Sequence, residues 1–254
     1  MINKYPMIYP WISREITNKI WKTGIFALAM GFFEAILVIY LRELYYPEGF
    51  EFPLKLFDPD LFFFELIREL VTIIMLVCIG LLAGKTGLQQ FGFFLYSFAV
   101  WDLFYYCGLK LLIGWPASLL TWDILFLIPI TWVGPVLAPV ICSFSMIYMA
   151  LLLFAGETVK KHFRLFSHEW VLIISGAVII FISFIMDYSQ LLVRGGYLNK
   201  LSSLSTNQDF INDLTSYMPE NFKWSIFLLG EVLIIIALLI IHRRIAIIRG
   251  KNIF

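Results

Sequence analysis

Charge is what this sequence has least of. Asp, Glu, Lys and Arg make up 15% of its 254 residues, against 61% apolar residues. A soluble domain carries about 25% charged and 45–50% apolar residues, so a water-soluble globular class is excluded. A mean hydropathy of +0.86 indicates an integral membrane protein instead. Cysteine is scarce as well. Cys78, Cys107 and Cys142 stand singly in apolar runs, which excludes a disulfide framework or a metal-ligand spacing and leaves small core residues. The three histidines, His162, His168 and His242, fall outside the apolar runs, so a His-rich metal site within the membrane is excluded. No G-x-S-x-G and no paired metal-ligand motif is present. A net charge of +1 gives no reason to expect a nucleic-acid partner. No long-period repeat is found, although Trp-Asp occurs at both 101–102 and 122–123. The first apolar run starts too late and runs too long for a cleaved signal peptide.

What is present is a series of long apolar runs. Six are long enough to cross a hydrocarbon core of about 30 Å as helices. They cover about 23–41, 61–82, 91–112, 135–154, 170–186 and 224–241. The expected fold is an all-α membrane protein with one transmembrane domain over 1–254. Residues 1–22 place Trp11, Ile12, Ile16, Ile20 and Trp21 on one stripe, which predicts a short interfacial helix. Residues 43–60 and 188–223 read as loops. Within the second, Ser205 and Gln208 fit a capping box ahead of Phe210, Ile211, Leu214, Tyr217 and Met218. That pattern predicts an amphipathic helix on the membrane surface. Trp115, Trp122 and Trp224 read as interfacial belt anchors.

The stretch 101–135 organises the rest. It begins a region with little charge that extends to Phe154. A single helix over Thr121–Phe154 would be about 50 Å long, too long for one span. Pro129, Gly134, Pro135 and Pro139 crowd into it, and proline removes a backbone donor and clashes one turn back. The prediction is a short, broken or re-entrant helix near 117–134, helical to about 128 and interrupted at 129–134. The next span then starts at 135. Backbone groups freed at membrane depth survive only inside protein or beside water.

Lys and Arg set the orientation. With six spans, 12 of them fall on the side of both termini and 5 on the other. The positive-inside rule then puts both termini in the cytoplasm.

Against this apolar background the intramembrane charges stand out. Glu34, Glu65, Arg68, Glu69, Asp102, Lys110, Asp123 and Glu231 all fall at similar depth in the outer half of the bundle. Glu65, Arg68 and Glu69 share a helix face at steps of three and four. Asp102, Tyr106 and Lys110 share another. Asp102 and Lys110 are two turns apart, about 12 Å, so only Tyr106 could bridge them. Six carboxylates against two cations, Arg68 and Lys110, leave acids that need protons, a bound cation or water. Glu34 and Glu231 have no opposite charge on their own helices. The same groups also serve to hold membrane helices together.

The stretches GFFEAILVIYLRELYYPEGFEFPL, ELIREL and WDLFYYCGLKLLIGWPASLLTWDILFLIPITWVGPVLAP resemble a family of bacterial multi-span inner-membrane proteins, uncharacterised in activity. The resemblance covers about residues 31–139. It implies a bacterial inner membrane and carries over no catalytic residues.

Three function classes follow. The first is a proton- or cation-coupled transporter or channel using the carboxylates beside a broken helix. The second is a helper or assembly subunit of a larger membrane complex. The third is a membrane-embedded enzyme acting on a lipid, and the missing motifs weigh against it. The lipid bilayer is one partner, and a membrane protein or a second copy of the chain is another. No cofactor is evident beyond a carboxylate-bound cation.

Overall fold

The computed structural model describes residues 11–46, 49–50, 52–53, 59–197, 207–219 and 221–251. Among them the chain forms seven helices and one β-hairpin. The order is α1 (Arg14–Tyr45), α2 (Pro59–Ala83), α3 (Gly87–Ile113), β1 (Trp122–Phe126), β2 (Trp132–Pro135), α4 (Leu137–Val159), α5 (Ser167–Arg194), α6 (Gln208–Thr215) and α7 (Trp224–Lys251). Five helices, α1, α2, α4, α5 and α7, are long and apolar enough to cross a membrane. The 27-residue α3 is as long but is not among them, and it carries Asp102 and Lys110.

Helix ends follow local chemistry. Ser13 caps α1 by accepting from the Ile16 N–H, and Thr86 caps α3 by accepting from the Gln89 N–H. These side chains satisfy donors that have no partner inside the helix. Gly114, with φ 71, ends α3 in the left-handed region, where glycine bears no Cβ penalty.

Helix α3 is central, packing against α1, α2 and α4, while α5 packs on α7. Lipid is as apolar as leucine, so close packing and hydrogen bonds, not escape from water, hold such helices together. The α5–α7 crossing shows this. A Cβ on Gly230 would lie 2.7 Å from the Gly176 carbonyl oxygen, so the backbones meet at a distance only glycine allows. The largest packed cluster joins Ile12, Ile16 and Ile20 to Phe93, Phe154 and Ile241. It fills the end of the bundle where α1 starts and α7 finishes. Large apolar side chains such as Phe33, Leu82 and Leu111 face outward, as lipid-facing residues do.

Several expectations change. The short helix near 117–134 is an antiparallel hairpin. Trp122 pairs with Pro135, Asp123 with Gly134, Ile124 with Val133 and Phe126 with Trp132. Trp, Ile, Phe, Thr and Val favour strands, and Pro129 lies in the connecting turn. A hairpin satisfies its own backbone groups where an interrupted helix would not. Gly134 and Pro135 therefore belong to β2 and not to a helix break. The separate N-terminal helix is also absent among the described residues. α1 runs unbroken from Arg14, and its isoleucine stripe faces protein; residues 1–10 lie outside the described residues. The fifth span does not stop at Asp187 but continues to Arg194, and the sixth continues through His242 to Lys251. Helix α6 is capped by Asn207, whose side chain accepts from the Asp209 and Phe210 N–H groups. Ser205 lies outside the described residues. Phe210 packs on Leu192 and Tyr197, tying α6 to the end of α5.

Candidate functional site

One cavity of about 410 Å³ runs between the helices and the hairpin. At one end its wall is apolar: Phe91, Leu95, Met146, Met149 and Ile173. The other end carries all six predicted acids, Glu34, Glu65, Glu69, Asp102, Asp123 and Glu231, together with Arg68 and Tyr106. At 1.5 Å per residue, Glu231 stands about 10 Å, and Asp102 about 17 Å, from the nearer end of its helix. The acids form three groups with different partners.

The first group surrounds Arg68. Its guanidinium forms ion pairs with Glu34 on α1 and with Glu65 one turn earlier on α2, the latter at 2.7 Å. Thr72 donates to Glu34 at 3.4 Å. Glu69 turns to the hairpin tip instead. It accepts from the Leu127 N–H at 2.9 Å and from the Ile128 N–H at 3.3 Å. A helix carboxylate thus satisfies the donors of a turn that carries proline.

The second group surrounds Asp123 on β1, which is 2% exposed. Arg42 Nη2 lies 3.2 Å from its Oδ1, and the Tyr106 hydroxyl donates to Oδ2 at 3.3 Å. The Arg42 guanidinium is also held over the Trp115 ring at 3.8 Å and the Phe50 ring at 4.6 Å.

The third group has no cation. Ser143 Oγ donates to Asp102 at 2.7 Å, and Ser145 Oγ donates to Glu231 at 2.8 Å. Both serines are on α4, which stands between α3 and α7. Glu231 Oε1 has no hydrogen-bond partner among the described residues. Cys142 lies next to Glu231, but its thiol, a weak donor, makes no hydrogen bond to Oε1.

The second cation is therefore Arg42, not Lys110. Lys110 is exposed and donates to the carbonyls of Gly114 and Pro116 at 3.0 and 2.8 Å. Tyr106 bridges to Asp123 and does not link Asp102 with Lys110. Glu34 is not alone, because Arg68 reaches it from α2. Trp115 stacks under Arg42 and so belongs to the site, whereas Trp122 and Trp224 pack on Phe222. Hydropathy puts Arg42 just past the first apolar run, which ends at about 41. The signal for its burial lay in Phe50 and Trp115, aromatic residues that suit a cation, but their closeness to Arg42 is set by the fold.

Two guanidinium groups face six carboxylates. Exposing an ionised side chain to lipid costs roughly 3 kcal/mol on insertion scales, and burying one unpaired inside protein is also unfavourable. The arginines neutralise part of the first two groups and nothing in the third. Asp102 and Glu231 are consequently the acids that no guanidinium or ammonium group reaches among the described residues. Among the described residues no three His, Cys, Asp or Glu side chains converge as metal ligands do. The acids are spread along the cavity in three groups. No family profile, curated protein or solved structure matches this chain.

Proposed function

We propose that the chain is a six-span membrane protein that carries protons through this cavity to drive transport. In this reading α3 is the sixth spanning helix, stabilised within the bundle despite Asp102. Both termini are cytoplasmic, and the acid-lined end opens to the other side. The family resemblance supports a bacterial inner membrane. One observation carries the reading: six acids from four helices and a hairpin line one cavity that holds only two arginines. The packed cluster at the opposite end supports an opening on the acid-lined side.

Proton entry into proteoliposomes, followed with an internal pH dye, tests the reading. Vesicles containing the protein should acidify faster than empty vesicles under an imposed proton gradient. Equal rates would remove it.

A further inference from the structure

We infer that the cavity binds a lipophilic organic cation, an apolar body bearing one onium charge, ammonium or phosphonium. The inference deepens the transport reading by naming its cargo, and it rests on the same cavity.

Charge is the first ground. The polar end holds more carboxylates than guanidinium groups, and Asp102 and Glu231 accept from serine hydroxyls and meet no cation among the described residues. Arg42 and Arg68 are already engaged by Asp123, Glu34 and Glu65. Arg42 keeps one unpartnered buried donor, Nη1, but its charge is matched by Asp123, whereas Asp102 and Glu231 have no cation beside them.

Unpartnered groups are the second ground. Glu231 is 2% exposed and Trp101 is 5% exposed. Both line the cavity, and both present a buried polar atom with no partner among the described residues, Glu231 Oε1 and Trp101 Nε1. Leaving such atoms unmatched is unfavourable. A cationic ligand matches the carboxylate oxygen by charge, and a water carried in beside it matches the indole N–H.

The aromatic wall is the third ground, independent of the acids. Phe98 and Trp101 have ring centroids 5.3 Å apart, Phe126 and Trp132 5.4 Å apart, and Trp132 and Phe181 4.9 Å apart. Trp101 and Phe126, at 6.2 Å, join the pairs into one arc along the cavity. Aromatic faces attract cations and are the usual lining of ammonium sites. A small hydrated inorganic cation would exchange its water shell for hydrocarbon here. An organic cation has no such shell to lose, and its body fits the apolar floor. The volume of about 410 Å³ lies in the range of small-molecule sites, about 300–1,000 Å³.

Tetraphenylphosphonium and tetraphenylborate have one shape and opposite charges, so the pair separates charge from greasiness. Radiolabelled binding of each to the purified full-length protein in nanodiscs is the test. The cation should bind saturably and be displaced by unlabelled cation but not by the anion. E231Q and W101L should each weaken it by about tenfold, the size of one lost ion or ring contact. K110A, at an exposed residue that does not line the cavity, should leave it unchanged. Thermal melting of each variant reports folding. If E231Q does not fold, W101L and the cation–anion contrast still decide. Equal binding of the anion, or absence of saturable cation binding, overturns the inference. Proton entry is measured separately on the same preparation. Proton movement without cation binding removes the cargo and keeps the proton pathway. Cation binding without proton movement keeps the ligand site and removes coupling.

Discussion

Replacing Arg42 with Met tests how the hairpin is anchored. The change keeps length and apolar bulk but removes the charge that faces Asp123. Both side chains are buried, at 10% and 2% exposure, so solvent screening is slight. Breaking one side of a buried ion pair costs about 3–5 kcal/mol, because the remaining charge is stranded. The loss of stacking on Trp115 and Phe50 adds about 0.5–2 kcal/mol. A total of about 3.5–7 kcal/mol is expected, which is a large part of the stability of most domains. The double variant R42M/D123N removes the stranded charge and should recover most of that loss, ending within about 1–2 kcal/mol of the parent. Reversible unfolding in mixed micelles, followed by tryptophan fluorescence, reads both. Trp115, Trp122 and Trp132 sit on or beside the hairpin and report its release. If R42M loses less than about 1 kcal/mol, the pair is no more than a surface salt bridge in value. If the double variant is no better than the single one, Asp123 is not the reason for the loss. Either result refutes the anchoring argument.

Two further outcomes are expected. Tyr197 donates to Asp213 at 2.6 Å and ties α6 to the end of α5; the Asp213 carboxylate that accepts this proton pushes the phenol up to about 12 from its usual 10.0. The folded state therefore holds this proton more tightly than the unfolded state, so the contribution is complete below pH 10 and disappears as pH rises toward 12. Protease cleavage within 208–215 should be constant to about pH 9 and accelerate above 10, and Y197F should remove that pH step. For topology, in a background without Cys78, Cys107 and Cys142, an impermeant maleimide added outside should label Q208C and miss K161C; the reverse pattern would invert the orientation.

Much of the site can be read from one-dimensional spacing because the bilayer does part of the folding. Depth is fixed by distance from the end of an apolar run, so Glu34, Glu65, Arg68, Glu69, Asp102 and Glu231 fall at compatible depths. The cost of facing lipid then turns them inward. The unread part depends on contacts distant in sequence. Arg42 follows an apolar run and looks like an interface residue. Its helix continues to Tyr45, and the charge is neutralised by Asp123, which lies 81 residues further on. Lys110 has the same local appearance as Arg68. The helix ends at Gly114, and the carbonyls of Gly114 and Pro116 take up its ammonium group. The hairpin is hidden for another reason. Residues 122–135 are apolar enough to enter a membrane, and hydropathy does not distinguish a strand from a half-helix. The clue lay in the residue types, Trp, Ile and Phe on one side of Pro129 and Thr, Trp and Val on the other. Strand pairing is what turns that preference into structure. Asp102 and Glu231 look equivalent to the other acids until the helices pack, when arginine reaches Glu34, Glu65 and Asp123, backbone N–H groups reach Glu69, and serine hydroxyls reach these two.

That difference supplies the most direct measurement: proton entry into proteoliposomes containing, in turn, the parent protein, E34Q, D102N and E231Q, each checked for folding by thermal melting. The account predicts that D102N and E231Q fall to the rate of empty vesicles. E34Q should retain flux, since Arg68 keeps its ion pair with Glu65. Parent-like flux in D102N and E231Q would contradict it.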